Sequence, residues 1–146
     1  MKKNTLYLLV VVIGSTLFSA CKKYPDGPGM SILSRKARLS NTWHLSSYYE
    51  NGVDKTSDFQ KIFQEVVFIF KKDGFYSFYY KGTGGYTDSG ETGTWQFTND
   101  DAYFETKPSD GNGSIGQHYI LRLKNKELWY QDTDANGLRY ELHLIQ

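Results

Sequence analysis

From Trp43 onward, apolar and polar side chains alternate with a period of two, and Gly, Asn and Asp interrupt the alternation at regular intervals. That pattern predicts short antiparallel strands joined by turns. Residues 43–49 read as the first strand, stopped by Asn51-Gly52. Strands over 65–71 and 75–81 meet through Lys72-Asp73-Gly74. Strands over 92–98 and 102–107 meet at 99–101, and strands over 117–123 and 127–132 meet through 124–126. Ala135-Asn136-Gly137 leads into a last strand over 138–145. The Gly-rich stretches 82–90 and 108–116 read as loops, and 57–63 as a loop or a short helical turn. Before the first strand, residues 31–39 (SILSRKARL) predict a short helix capped by Ser31, with Ile32, Ala37 and Leu39 along one side.

The turn at Lys72-Asp73-Gly74 sets a register. A three-residue loop with Gly in the left-handed position pairs Lys71 with Phe75 and Phe70 with Tyr76. Val66, Phe68, Phe70, Tyr76, Phe78 and Tyr80 then share one face. A slip of one residue would scatter them over both faces, which favours this register. The opposite face carries Val67, Ile69, Phe75 and Tyr79, so some cover over it is expected.

Eight successive strands with short connections close most simply into an antiparallel up-and-down barrel, which leaves no free edge. Such a barrel is just wide enough to be filled by side chains or to hold one small ligand. The expected fold is therefore all-β, an eight-stranded barrel preceded by a short helix. The strands are too short for an outer-membrane barrel.

Composition adds an aromatic surplus: 12 Tyr, 9 Phe and 3 Trp in 146 residues. Lys and Arg (17) nearly balance Asp and Glu (16), without the clustered positive face that nucleic acid requires. The lone Cys excludes an internal disulfide.

That Cys closes a leader. Residues 1–21 read MKKNTLYLLVVVIGSTLFSAC, with a positive start, an apolar run too short to span a bilayer, and small residues before Cys21. The ending resembles a bacterial lipobox, with Phe18 where Leu is usual. The resemblance implies a signal peptide over 1–20, a tether over 21–30, and lipid (palmitate or a similar acyl chain) on Cys21. Three acyl chains suffice for stable anchoring. Lys22, Lys23 and Tyr24 follow instead of an Asp or an acidic run, which by analogy with lipoproteins points to the outer membrane and its periplasmic face.

Several short pieces resemble bacterial lipocalin-like domain lipoproteins: Leu39-Ser40-Asn41-Thr42-Trp43 with Glu50-Asn51-Gly52, Phe70-Lys71-Lys72-Asp73-Gly74-Phe75-Tyr76, Gly93-Thr94-Trp95, and Tyr119-Ile120-Leu121 with Leu128-Trp129-Tyr130. Asn41 stands where Gly is usual. The resemblance implies a calycin-like barrel over 31–146 with room for a small ligand, and no shared catalytic residues.

Candidate chemistry is sparse. His44, His118 and His143 each alternate with apolar neighbours and are expected on outward faces, so no metal site is expected. Asp132, Asp134 and Asn136 before Gly137 begin like a calcium loop, but His143 stands where the closing Glu belongs, and a polar turn is the simpler reading. No nucleophile–base pair stands out, and Glu65, Glu91, Glu105 and Glu141 are not paired by any local pattern. The expectation is a protein without catalysis or cofactor. Trp43, Phe68, Phe70, Tyr76, Phe78, Trp95, Tyr119 and Tyr140 either line a cavity or fill it as a core. The first case gives a membrane-tethered binder of a small, partly apolar molecule. The second gives an envelope module whose outer face (Val67, Ile69, Phe75, Tyr79) docks a protein partner.

Overall fold

The structure, a computed structural model, describes residues 23–26, 31–83, 89–111 and 113–146. The leader, Cys21 and parts of the 21–30, 82–90 and 108–116 segments lie outside the described residues. The described strands are β1 (Thr42–Glu50), β2 (Val53–Asp54), β3 (Phe63–Phe70), β4 (Phe75–Gly82), β5 (Ser89–Thr98), β6 (Tyr103–Pro108), β7 (Gly116–Leu123), β8 (Glu127–Thr133) and β9 (Arg139–Ile145). Two helices accompany them, α1 (Arg35–Leu39) and α2 (Thr56–Ile62). Among the described residues, β1 and β3–β9 form a closed antiparallel barrel, because β9 returns to pair with β1. The expected eight strands are present, and β2 is a short addition beside the end of β1.

The register expected at Lys72-Asp73-Gly74 is the one observed. Phe70 pairs with Tyr76, Phe68 with Phe78 and Val66 with Tyr80. The Lys71 N–H donates to the Phe75 carbonyl at 2.8 Å, and Gly74 has φ +92°. β1 divides its pairing: residues 42–44 lie against β3, and 44–50 against β9. Where β1 leaves β3, α2 packs against both strands. Its Phe59 ring lies 4.7 Å from Tyr48 and 4.6 Å from Phe63. The segment expected to be a loop or helical turn is thus a helix.

One end of the barrel is plugged. Leu39 of α1 and Trp43 are fully buried, and the Trp43 indole N–H donates to the Leu39 carbonyl at 2.9 Å. Arg38 reaches across the same end and donates to the Leu123 carbonyl at 2.7 Å. The helix is capped by Ser34, not Ser31: the Ser34 hydroxyl accepts from the Ala37 N–H at 3.1 Å. Ile32 precedes the helix and is exposed, so it takes no part in the apolar side.

The described part of the tether docks on this end. Tyr24 is only 2 % exposed and belongs to the main core cluster with Leu39, Trp43, Leu123 and Leu128. The Asp26 N–H donates to the Leu121 carbonyl at 3.0 Å. Lys23 pairs with Asp100, and Arg35 with Asp101 at 2.6 Å, on the turn between β5 and β6. The tether's described backbone is neither helix nor strand, and Tyr24 has enough apolar surface to be drawn into the core.

Candidate functional site

Toward the opposite end the rings stop filling the barrel and enclose a cavity of about 230 Å³. Side chains of directly paired residues share a face. Phe78 therefore faces inward with its partner Glu91, and Tyr76 with Gly93. The same rule places Trp95 beside Thr106, Phe104 beside His118, and Tyr130 beside Ile120. One wall is aromatic: Phe68 stacks on Phe78 at 4.7 Å, and Phe104 stands edge-on to Phe70 at 5.4 Å and to Tyr130 at 5.3 Å.

The other wall is polar. The Tyr76 hydroxyl donates to the Glu91 carboxylate. His118 Nδ1 lies 2.7 Å from Asp132 Oδ1, and its Nε2 lies 3.0 Å from the Thr106 hydroxyl. A carboxylate only accepts, which assigns the Nδ1 proton to the bond with Asp132. In the neutral ring Nε2 then accepts from Thr106. Glu91 is exposed and the Asp132 side chain is 33 % exposed, so the cavity reaches solvent on this side. Burial pushes the Tyr76 phenol above its ordinary range, and the Glu91 carboxylate adds to the effect. Burial does the same to Tyr130, with Asp132 adding to it. Both phenols are therefore neutral O–H groups at physiological pH.

Two glycines make room for this arrangement. A Cβ at Gly93 would collide with the Lys107 carbonyl and lie 2.6 Å from Tyr76 Cε1. A Cβ at Gly116 would lie 2.8 Å from His118 Nε2 and 2.9 Å from Thr106 Oγ1.

Of the eight aromatic residues singled out in the sequence, Phe68, Phe70, Tyr76 and Phe78 line the cavity. Trp43 and Trp95 belong to the packed core, where the Trp95 indole donates to the Lys71 carbonyl at 2.9 Å. Tyr140 pairs with Asp132 and so faces the same side of the sheet, but it does not line the cavity; it lies 6.3 Å from Tyr48, and its hydroxyl donates to Asp134 at 3.3 Å. Tyr119 is on the outer surface against Tyr103, at 5.1 Å. Its neighbours His118 and Ile120 face inward instead, which corrects the outward placement of His118. The alternation in this strand is shifted by a bulge between Ile120 and Arg122, which lets Leu123 also face the core.

The other two histidines do face outward. His44 is exposed, and His143 stacks on Trp129 at 3.9 Å and bonds Glu141 at 2.6 Å. Asp134 organises the last turn, accepting from the Asn136 and Leu138 N–H groups at 2.8 and 2.9 Å. The calcium-like pattern is thus a polar turn, and Asp132 belongs to the cavity. Among the described residues, no group of three or more His, Cys, Asp or Glu is arranged to hold a metal ion. Glu91, Phe104, Thr106, His118, Tyr130 and Asp132 are the lining residues that the aromatic pattern did not single out.

A closed antiparallel barrel, plugged at one end and hollow toward the other, defines a small barrel of the ligand-binding type. The chain belongs to the lipocalin-like domain family, whose profile matches residues 39–130. No curated protein matches it. Among solved structures, a redesigned β-barrel is similar at 10 % identity, with a TM-score of 0.46, over 80 % of this chain and 98 % of that one.

Proposed function

We propose that this protein is a lipid-anchored envelope protein whose barrel holds a small, partly apolar ligand without transforming it. The observation that carries the reading is the aromatic cavity open on a polar side. Its volume, about 230 Å³, exceeds the roughly 150 Å³ of an apolar cavity that admits benzene. It falls below the several hundred Å³ of drug-sized sites. A single ring or short branched body with one polar arm fits that space, and a long acyl chain does not.

Thr106, His118 and Asp132 stand in the order hydroxyl, imidazole, carboxylate. Acyl transfer by such a relay also needs donors aimed at a developing negative charge. Glu91 and Asp132 would oppose that charge, which supports binding over catalysis. Docking through the outer face of β3 and β4 has less support. Phe75 and Tyr79 are 54 % and 40 % exposed there, but Val67 is buried at 1 %.

The anchoring reading rests on the leader and Cys21, and the outer-membrane, periplasm-facing address on the residues that follow it. Cys21→Ala should move the protein from the membrane fraction to the soluble one; unchanged membrane association would overturn lipidation. Native mass spectrometry of the full chain purified from its host tests the ligand. A retained small molecule is expected. A barrel that retains none, and takes up none from a panel of single-ring compounds, overturns the binding reading.

A further inference from the structure

Resting on the ligand reading above, we propose that the natural occupant is a small organic cation, an ammonium carried on a single ring or short apolar body.

Charge is the first argument. Among the described residues lining the cavity, Glu91 and Asp132 are acidic and none is Lys or Arg. His118 is the one lining group able to become positive, and its Nδ1 is bonded to Asp132. An anionic ligand would meet like charge on entering, whereas a cation is drawn in.

Hydrogen-bonding capacity is the second. The Tyr76 O–H is directed at Glu91, the His118 Nδ1–H at Asp132, and Thr106 meets His118 Nε2. The donors of this wall are turned toward its own acceptors. Each carboxylate uses one oxygen in these bonds, and a carboxylate can accept through both. The wall therefore offers acceptors, and the complementary ligand brings donors. An ammonium supplies up to three and a positive charge with them.

The third argument is the opposite wall. The rings of Phe68, Phe78, Phe104 and Tyr130 surround the same space. Aromatic faces attract organic cations while excluding water from the apolar body that carries them. Glu91 is exposed and the Asp132 side chain 33 % exposed, so the fold does not have to bury unpaired charge to present these acceptors.

Three probes with one ring and different charge test this: benzylammonium, benzyl alcohol and benzoate. Each is titrated calorimetrically into the full chain in phosphatidylcholine nanodiscs, with empty discs as the blank. Benzylammonium should bind about tenfold or more tightly than benzyl alcohol, and benzoate most weakly. Glu91→Gln and Asp132→Asn keep an acceptor oxygen for Tyr76 and His118, so the network and fold are retained, as a thermal melt will verify. Each should narrow the preference for benzylammonium severalfold. Variants that keep the full preference overturn the cation assignment. Equal or tighter binding of the alcohol or benzoate also overturns it and leaves a small-ligand site standing. If no probe binds, the cation assignment falls, and the ligand reading falls with it when native mass spectrometry also finds no retained molecule.

Discussion

Gly116 leaves the space in which the Thr106 hydroxyl meets His118 Nε2. Ala at this position places a methyl within 3 Å of both atoms. The expected result is loss of the 3.0 Å contact, seen as a shifted His118 ring resonance by NMR, with about 1–3 kcal/mol of stability lost in urea unfolding. A second prediction concerns the outer surface. Arg122 lies 3.6 Å above the Trp129 ring and pairs with Glu127. The bond to Arg122 holds the Glu127 carboxyl below its usual range. A depressed folded-state value contributes stability above the unfolded value, and that contribution is lost as pH falls through the folded one. Glu127→Gln should therefore cost less than about 1 kcal/mol at neutral pH, because the pair is partly screened by water. The difference from the parent should fade below about pH 4 in acid-titrated melts. The lining aromatics of β3 and β4 were legible in the sequence because one face of that hairpin is apolar throughout. Glu91 and Asp132 were not, since a charged residue in alternation reads as solvent-facing until a cavity is there to hydrate it.

At the level of elements, the Phe59 ring is the main apolar tie of α2, beside backbone and hydroxyl bonds at its two ends. Lys55, the residue before the helix, makes no capping side-chain bond, and the described side chains of α2 are no more than half-buried. Phe59 holds it between Tyr48 and Phe63. Phe59→Ala should cost about 2 kcal/mol, less than a fully buried ring. Hydrogen exchange should show α2 amides losing protection while β5–β8 keep theirs; uniform loss would contradict this independence. The strands themselves were readable to within a few residues because their turns carry Gly, Asn and Asp. β7 defeated the same reasoning at its faces. Both phases of Gln117 to Leu123 present apolar side chains, and the bulge after Ile120 breaks the period that would have chosen between them. β2 pairs through only two residues, too short for any periodicity to register.

For the whole molecule, closure and a helix shutting one end were foreseeable, and the docking of the tether there was not. Eight strands with short turns have little choice but to close, whereas the docking of Tyr24 depends on a pocket assembled by Leu39, Trp43, Leu123 and Leu128. Burial pushes the Tyr24 phenol up to about 12, against the opposing pull of Arg35. Tyr24→Ala opens a hole at the plugged end and should remove about 3 kcal/mol, lowering the melting temperature by about 10 °C. An unchanged melt would show that the barrel closes without it.

With an anchor on Cys21, the same residue would set how the barrel stands. On the anchoring proposed above, Cys21 precedes Tyr24 by three residues, which span at most about 10 Å fully extended. A mast that short would not let the barrel tumble. It would seat the plugged end on the headgroups and turn the cavity mouth toward the aqueous side, so that an occupant would arrive from water and not out of the lipid.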